Sequence, residues 1–223
     1  MGKVSPEQAF SPQVEKISGE MRKAELLEAA VAIFSEKGYD GASLQDIADR
    51  IGILKGSVYY YYKSKEDILF DVLRFVHDEH LENASTLARQ PGDPLQRLHA
   101  LLAGHAAFVC RNLDRTTVFV RELDRLPLER QEEILGPEHG YQRVFRDVIA
   151  EAQIAGQVAA EVNPKLATLW ILGSLNWLHR WYRPSRSDGP EQVAAQFADQ
   201  LTRGIMHSEI WGRFGTGPGW AST

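Results

Sequence analysis

Apolar residues recur at three- and four-residue spacing from Met21 onward, which is the pattern of one buried stripe on an amphipathic helix. The stripe ends at Gly38, and glycine readily adopts the left-handed conformation that closes a helix. The pattern therefore predicts a first helix from Met21 to about Lys37. Its apolar positions are Leu26, Leu27, Ala30, Val31 and Phe34.

Two shorter helices follow, separated by only a few residues. Ser43 and Asp46 have the spacing of an N-terminal cap, so we expect a helix from Ser43 that Gly52 ends. A third helix is predicted at about 55–62, and Ser64 is placed to cap a fourth that runs to about Ala88. Two short helices joined by a tight turn that contains glycine are typical of a helix-turn-helix.

The remainder of the chain also has a helical pattern, and no alternating strand pattern is clear. Pro137 is expected to kink or split one long helix. The sequence therefore predicts an all-α fold. The further helices are predicted near 94–111, 115–125, 128–156, 164–182 and 190–209. The predicted divisions are a flexible leader (1–20), a helix-turn-helix domain (21–64), a larger helical domain (65–211) and a flexible tail (212–223).

Composition narrows the class of protein. The chain has 223 residues, a formal net charge of −5 and one cysteine, Cys110, which cannot form an internal disulfide. A reducing, cytoplasmic location is favoured. No apolar run reaches the ~20 residues that a membrane helix requires, so no membrane partner is expected. The negative net charge argues weakly against nucleic acid as a partner.

The predicted third helix answers that objection. From Arg50 to Lys65 the sequence RIGILKGSVYYYYKSK contains four basic residues and no acidic one. Four consecutive tyrosines cannot all face the core of a helix, and tyrosine hydroxyls can donate to phosphates while lysines supply salt-dependent affinity. This face therefore favours double-stranded DNA as a partner.

At these residues the chain resembles the TetR family of bacterial transcriptional regulators. The likeness rests on Ala30, Phe34, Gly38, Tyr39, Leu44, Ile47, Ala48, Gly52, Lys55-Gly56-Ser57-Val58-Tyr59, Tyr62 and Ser64-Lys65-Glu66. The resemblance implies a homodimer with an N-terminal three-helix DNA-binding domain, followed by a larger helical ligand-binding and dimerisation domain. It also implies a repressor that binds a palindromic operator and is released by a small-molecule inducer.

The resemblance implies two groups of DNA contacts. Those expected to face bases are Gln45, Lys55, Gly56, Ser57 and Tyr59. Those expected to face phosphates are Tyr60, Tyr61 and Lys65. Core packing is an open alternative for Tyr59 and the favoured one for Tyr62, and a solvated face is the alternative for Tyr60 and Tyr61.

Two C-terminal helices are expected to pair with their copies in a second subunit. The predicted 164–182 helix is apolar nearly all round, which indicates burial on both sides, and the 190–209 helix has one apolar stripe. The resemblance implies the same four-helix interface, which suits a two-fold operator. The expected dimer residues are Gly173, Ser174, Phe197, Leu201, Gly204 and Ile205.

The segment Arg180-Trp181-Tyr182-Arg183-Pro184 is similar to one in TetR-type regulators of lipid and steroid breakdown that sense acyl-CoA thioesters. Aromatic and guanidinium groups together can stack on an adenine and pair with phosphates. The alternative is that Trp177 and Trp181 pack the interface while the arginines form surface ion pairs. The expected ligand-binding residues are Phe108, Phe145, Trp177, Arg180 and Trp181. Phe75 and Phe119 are further candidates for an apolar pocket wall, and core packing is the favoured alternative for all four phenylalanines.

Other chemistry is set aside. His77 and His80 stand at i, i+3, and we interpret them as a surface pair rather than metal ligands. No nucleophile, base and acid stand together in the sequence, so no enzyme is predicted. No metal or cofactor is predicted either. Two alternatives to the ligand-responsive repressor stay open, namely a constitutive DNA-binding regulator without an inducer and an all-helical enzyme.

Overall fold

A computed structural model describes residues 12–136, 140–185 and 188–207, with side chains from Met21 onward. Its regular elements in that part of the chain are helical, apart from an isolated bridge between Val158 and Met206. Two compact units divide between Val72 and Leu73. The helices are α1 (Pro12–Gly41), α2 (Leu44–Arg50), α3 (Lys55–Tyr61), α4 (Lys65–Ala88), α5 (Pro94–Arg111), α6 (Leu113–Glu122), a 3₁₀ turn (Leu123–Arg125), α7 (Leu128–Leu135), α8 (Gly140–Ile154), α9 (Pro164–Asn176), α10 (Leu178–Trp181) and α11 (Pro190–Ile205).

The first helix is longer than the sequence pattern predicts. α1 begins at Pro12, so residues 12–20, expected in a flexible leader, are helical. Proline is well tolerated in the first turn of a helix, because its missing N–H would have no intrahelical partner there. The rest of the leader and the tail from 212 lie outside the described residues. The predicted break at Gly38 is present, since Gly38 has φ 71° and ψ 164° within α1.

The N-terminal unit is built around two capped helices. Ser43 Oγ accepts a bond from the Asp46 amide at 3.1 Å, and Asp46 Oδ2 accepts one from the Ser43 amide at 2.8 Å, which confirms the predicted cap. Ser64 Oγ likewise accepts from the Asp67 amide at 3.1 Å. These caps fix where α2 and α4 begin. The side chains buried in this unit include Leu26, Ala30, Phe34, Ile47, Ala48, Val58, Ile68 and Leu69.

The C-terminal unit has one contiguous apolar core, to which α5, α8, α9 and α11 contribute. α5 is buried along much of its length, because it packs against α8 on one side and α11 on another. Cys110 of α5 is buried within this core. No helix in the described part of the chain is long and apolar enough to cross a membrane.

Two predicted long helices are divided. α7 ends at Leu135 and α8 begins at Gly140, so the split expected near Pro137 is present, with Pro137 itself outside the described residues. The predicted 164–182 helix is also broken, which the sequence did not indicate. α9 ends at Asn176 and the four-residue α10 follows it.

Candidate functional site

α3 presents one buried position and a broad exposed face. Val58 is fully buried, whereas Lys55, Gly56 and Ser57 are exposed. A seven-residue helix anchored by one apolar side chain leaves the rest of its surface free for a partner. Leu54, which precedes the helix, is 80% exposed and adds an apolar group at the edge of this surface.

The four tyrosines separate by burial. Tyr62 is buried and its hydroxyl donates to Asp71 Oδ2 at 3.0 Å, so the favoured core interpretation is confirmed. Burial, reinforced by the Asp71 charge, raises the pKa of the Tyr62 hydroxyl far above its usual value. Tyr59 is 51% exposed and Tyr60 is 84% exposed, which leaves both rings available to a partner. Tyr61 is partly buried, and its ring meets the edge of Tyr60 at 5.0 Å between centroids.

The basic residues near α3 are not equivalent. Arg50 Nη2 donates to both carboxylate oxygens of Glu36 at 2.8 and 2.7 Å, so its charge is paired. That guanidinium, through its hydrogen bond, lowers the pKa of Glu36. By contrast, Lys55 and Lys63 are exposed, and neither has an acidic partner among the described residues.

Lys65 makes hydrogen bonds within the N-terminal unit. Its ammonium donates to the carbonyl oxygens of Tyr39 at 2.7 Å and Ala42 at 2.8 Å. It also lies 4.3 Å from the centroid of the Tyr39 ring. Two of its three donors are therefore used inside the unit, so Lys65 ties α4 to the end of α1, and its predicted phosphate contact stays a prediction.

Gln45, the predicted base contact on α2, is exposed. Its side-chain amide donates to Asp49 Oδ1 at 2.7 Å within the same helix. Such an exposed bond exchanges readily with water or a base edge, because its net worth is only about 1 kcal/mol.

The C-terminal unit contains a cavity of about 250 Å³. In the part of the chain that the structure describes, no aspartate, glutamate, lysine or arginine lines it. Its described lining comes from α4, α5, α6, α7, α8 and α9, with three histidines among apolar groups. The lining residues are Val76, His77, His80, His105, Thr116, Phe119, Val120, Leu135, Tyr141, Gln142, Leu169, Leu172, Gly173 and Asn176.

One side of the cavity wall is a hydrogen-bonded relay. His105 Nε2 lies 3.0 Å from Asn176 Oδ1, and its Nδ1 lies 2.5 Å from the Tyr141 hydroxyl. Since the amide oxygen can only accept, His105 donates from Nε2 and accepts the tyrosine proton at Nδ1. Three helices, α5, α8 and α9, are thereby joined through one neutral imidazole.

The same histidine and its neighbour are held uncharged. Burial lowers the pKa of His105 to about 4, opposed by the bond to Asn176. Burial, together with His105 and His77, lowers the pKa of His80 to about 3. The His80 ring lies 3.8 Å from the Phe108 centroid, so an apolar ring occupies part of its surroundings. At neutral pH the wall is therefore polar without being charged.

The cavity wall also contains polar atoms that lack partners. The two ring nitrogens of His77 have no hydrogen-bond partner among the described residues. The same is true of the Thr116 hydroxyl. His77 is 7% exposed and Thr116 is 3% exposed. The nearest carboxylate oxygen to His77 Nδ1 belongs to Asp78, at 3.7 Å, which is too long for a hydrogen bond.

The interpretation of His77 and His80 as a surface pair is wrong, because α4 turns both toward the cavity. Both histidines stand in the otherwise apolar stripe of α4, and this position is the signal that could have assigned them to a buried wall. His105 gave no comparable signal, since its partners are distant in sequence. No cluster of three or more metal-ligating side chains occurs in the part of the chain described.

Most of the predicted ligand residues lie elsewhere. Phe119 lines the cavity as expected, but Phe75 is exposed. Phe108 and Phe145 are buried beside the wall, against His80 and His105 respectively, without lining the cavity themselves.

The other three predicted ligand residues also lie away from the cavity lining. Trp177, Arg180 and Trp181 are exposed, and the Arg180 guanidinium lies 5.8 Å from the Trp177 ring centroid. Their predicted contact with an effector stays a prediction.

The predicted dimer residues differ in their exposure. Gly173 and Gly204 are exposed, while Ser174 and Phe197 are partly buried. Leu201 and Ile205, by contrast, are buried in the chain's own core, because the apolar stripe of α11 faces α5. They are therefore not available to a partner, which corrects that prediction.

An exposed apolar face on α9 and α10 contains residues outside the predicted dimer set. Its members, which we term the tryptophan face, are Leu166, Leu169, Trp170, Trp177 and Trp181. Phe197 of α11 stacks on Trp181 at 5.9 Å between centroids, and Trp170 lies so close to Gly204 that an added Cβ there would approach its ring to 2.9 Å. A contiguous exposed surface of this kind marks an interaction site.

Comparison with known protein families gives a match in the N-terminal part of the chain and another in the C-terminal part. Residues 26–72 match the family described as bacterial regulatory proteins, tetR family, and residues 91–205 match the tetracyclin repressor-like C-terminal domain. The HTH-type transcriptional repressor KstR2 of Mycobacterium tuberculosis is 27% identical over 201 residues, which is 88% of this chain and 100% of that protein.

Solved structures share the fold. The ketosteroid transcriptional regulator KstR2 of M. tuberculosis aligns with a TM-score of 0.77 at 27% identity, over 84% of this chain and 96% of that one. A TetR/AcrR-family regulator from Thermobifida fusca aligns with 0.65 at 38% identity, over 82% and 97%. AibR, solved with isovaleryl coenzyme A and operator DNA, aligns with 0.74 at 24% identity, over 81% and 98%. The chain therefore belongs to the TetR family of bacterial regulatory proteins.

Proposed function

We propose that this protein is a ligand-responsive transcriptional repressor that binds a palindromic operator as a homodimer and releases it when a small hydrophobic effector enters the C-terminal cavity. The observation that carries the proposal is the uncharged cavity in a chain whose N-terminal unit presents an exposed α3. The KstR2 relatives, named as transcriptional repressors, support the direction of control. A role in gene regulation places the protein in the cytoplasm, with no catalytic activity.

DNA reading is assigned to the exposed face of α3. Lys55 and Ser57 are placed to reach base edges in a major groove, and Tyr59 adds an aromatic edge beside them. Tyr60 and Tyr61 contact phosphates, with Lys63 as the free cation in place of Lys65. Lys55 and Lys63 are the two lysines near α3 without an acidic partner among the described residues. Phosphate contacts per subunit are therefore few, and affinity depends on two subunits binding together.

Dimerisation is assigned to the tryptophan face. Aromatic residues are enriched at protein interfaces, and three indoles on one exposed face supply a large apolar area for association. Gly173 lies between them along α9, where its missing side chain permits close approach of a second helix. A symmetric copy would bury the same face on both subunits.

Only part of the effector is assigned to the cavity. A volume of about 250 Å³ lies just below the usual range for small-molecule pockets, roughly 300–1,000 Å³. It accommodates the acyl portion of a thioester and leaves a coenzyme A moiety outside. The cavity also favours a ligand-responsive regulator over a constitutive one, since a constitutive regulator has no need of an internal site.

Coupling between effector and DNA is assigned to α4. Val76, His77 and His80 of this helix line the cavity, and the same helix begins at Lys65 in the N-terminal unit. An effector shifts the equilibrium between DNA-binding and released states only by its differential affinity for them. Release therefore requires that the effector fit one arrangement of α4 better than the other.

The experiment for DNA reading selects an operator from a random library and measures affinity by fluorescence anisotropy. Lys55→Ala is expected to reduce discrimination between operator and mutated operator by about 1–3 kcal/mol, because one base contact is lost. Lys165→Ala removes an exposed lysine of the C-terminal unit and serves as the matched control. An equal loss on every sequence, or no loss, contradicts the assignment of Lys55.

The experiment for effector response titrates straight-chain and branched acyl-CoA thioesters against the operator complex. Release by at least one thioester, with no release by free coenzyme A, is the expected result. Arg180→Ala tests the predicted contact with the coenzyme portion. If the thioester releases this variant with unchanged potency, Arg180 makes no such contact. Failure of all thioesters to alter operator affinity contradicts the acyl-CoA assignment.

A further inference from the structure

The cavity contains two kinds of polar group. His105, Tyr141 and Asn176 satisfy one another, as described above. His77 and Thr116 do not, although both are more than nine-tenths buried and both line the cavity. The first set is part of the fold, whereas the second set keeps hydrogen-bonding capacity that the fold itself does not use.

Buried polar groups without partners destabilise a protein, because their hydration is lost and not replaced. Such groups can bind ordered water, and a ligand that displaces this water must reproduce its bonds or lose affinity. A pure hydrocarbon cannot reproduce them. The wall therefore discriminates according to whether the entering group carries a hydrogen-bonding atom.

The charges around the site decide whether the bound group can itself be charged. Among the described residues, no aspartate, glutamate, lysine or arginine lines the cavity, and its three histidines are neutral at pH 7 because burial lowers their pKa values. The nearest acidic group to His77, Asp78, is exposed and carries a charge that opposes a bound carboxylate. An anionic group would enter this site without compensation.

We propose that the effector carries an uncharged oxygen function, a hydroxyl or a keto group, at its buried end, and that His77 and Thr116 hold it there by hydrogen bonds. Either group fits, since a threonine hydroxyl both donates and accepts and a neutral imidazole offers one of each. The inference rests on the proposed role of this cavity as the effector site. It predicts that oxygenated acyl groups act more strongly than plain chains of the same length.

The test measures the cavity directly with small neutral probes, in the full-length protein, by titration calorimetry. Phenol and toluene are nearly equal in size and differ by the hydroxyl, and cyclohexanone supplies the carbonyl arm. Thr116→Val removes the hydroxyl with little change of shape, and His77→Leu removes the imidazole. Thr202→Val is the matched control, because Thr202 is another buried threonine without a hydrogen-bond partner among the described residues, and it lies outside the cavity.

The wild-type protein is expected to bind phenol, cyclohexanone or both more tightly than toluene, despite the greater hydrophobicity of toluene. Thr116→Val and His77→Leu are each expected to shift the ratio of dissociation constants about tenfold toward toluene, the effect of one hydrogen bond. Thr202→Val should leave the ratio within about twofold, since its change is remote from the site. Unaltered ratios in both cavity variants overturn the inference, as does failure of all three probes to bind.

Operator release separates this inference from the function on which it rests. If acyl-CoA thioesters release the operator but the probes show no preference for oxygen, the proposed effector response stands and the oxygen-recognition inference is wrong. If the probes show the preference but no thioester releases the operator, the cavity chemistry stands and the acyl-CoA response is wrong. The same variants, tested with octanoyl-CoA and 7-oxooctanoyl-CoA, connect the two measurements when both succeed.

Discussion

The two units of this protein leave polar groups without protein partners in opposite surroundings. On α3, Lys55, Ser57 and Tyr60 are in water, which satisfies them without loss of stability. In the cavity, His77 and Thr116 are almost fully removed from bulk solvent. Recognition on an exposed surface therefore places little demand on the fold, whereas recognition inside a cavity is accompanied by a local loss of stability. Substitutions at the two kinds of site should differ in sign as well as size.

The largest effect is expected where the cavity's polar groups are paired. His105→Leu leaves the partly buried Tyr141 hydroxyl and Asn176 carboxamide without their partner. Each such group costs about 1–3 kcal/mol, so the free energy of unfolding should fall by about 3–5 kcal/mol. Urea unfolding followed by circular dichroism measures it. A loss below about 1 kcal/mol would show that the relay is not a structural element.

The neutral histidines make stability depend on pH. His105 and His80 have folded-state pKa values of about 4 and about 3, against 6.5 in an unfolded chain. The unfolded state therefore binds more protons below pH 6.5, and stability falls as pH is lowered through that value. The expected loss is about 2 kcal/mol between pH 6.5 and 5.5, or about 1 kcal/mol for each histidine.

Urea midpoints at pH 7.5, 6.5 and 5.5 check this dependence. His105→Gln supplies both a donor and an acceptor without a titrating ring, so it should show a shallower pH dependence than the wild type. The window lies well above the pKa of Asp46, which hydrogen bonds from Lys37 and Ser43 hold at about 2. Stability that does not change between pH 7.5 and 5.5 would contradict the neutral state assigned to these histidines.

In the N-terminal unit the effect is expected to be smaller. Lys65→Met removes the two bonds to the Tyr39 and Ala42 carbonyls and the contact with the Tyr39 ring. Stability should fall by about 1 kcal/mol, since these groups are partly hydrated. Lys63→Met is the matched control, and it should instead reduce the salt dependence of DNA binding by about one unit of slope. If Lys65→Met instead reduced the salt dependence of DNA binding and Lys63→Met lowered stability, the phosphate contact would belong to Lys65.

The smallest effect is expected at the cavity's unpaired side. Thr116→Val replaces an unsatisfied hydroxyl by a methyl group of similar shape, so stability should stay within about 0.5 kcal/mol of the wild type or rise. Thermal unfolding without ligand measures it, beside Thr202→Val. A clear loss in Thr116→Val alone would show that the hydroxyl has a partner in the folded protein, and the contrast with His105 would disappear.

The sequence predicted best what local interactions decide. The cap at Ser43, the break at Gly38 and the buried Tyr62 depend on near neighbours or on helical spacing, and all three were predicted. The partners of Lys65 could not be predicted, because they lie 23 and 26 residues earlier in the chain. The basic run suggested a free charge, and only the packing of α4 against the end of α1 shows otherwise.

The cavity was beyond this kind of prediction for the same reason. Six helices contribute to its wall, so no spacing within one of them identifies the lining. The apolar stripe of α11 shows the limit most clearly. A stripe predicts that a surface is covered, but it does not distinguish cover by α5 of the same chain from cover by a second subunit, and Leu201 and Ile205 were assigned to the wrong partner.

The tryptophan face has an optical consequence. Three of the five tryptophans in the chain, Trp170, Trp177 and Trp181, stand on this one surface, and none lines the cavity or belongs to α3. Indole emission shifts to shorter wavelength when water leaves its surroundings. Dilution of the protein should therefore move its intrinsic fluorescence to the red as subunits separate, so that assembly can be followed without a label.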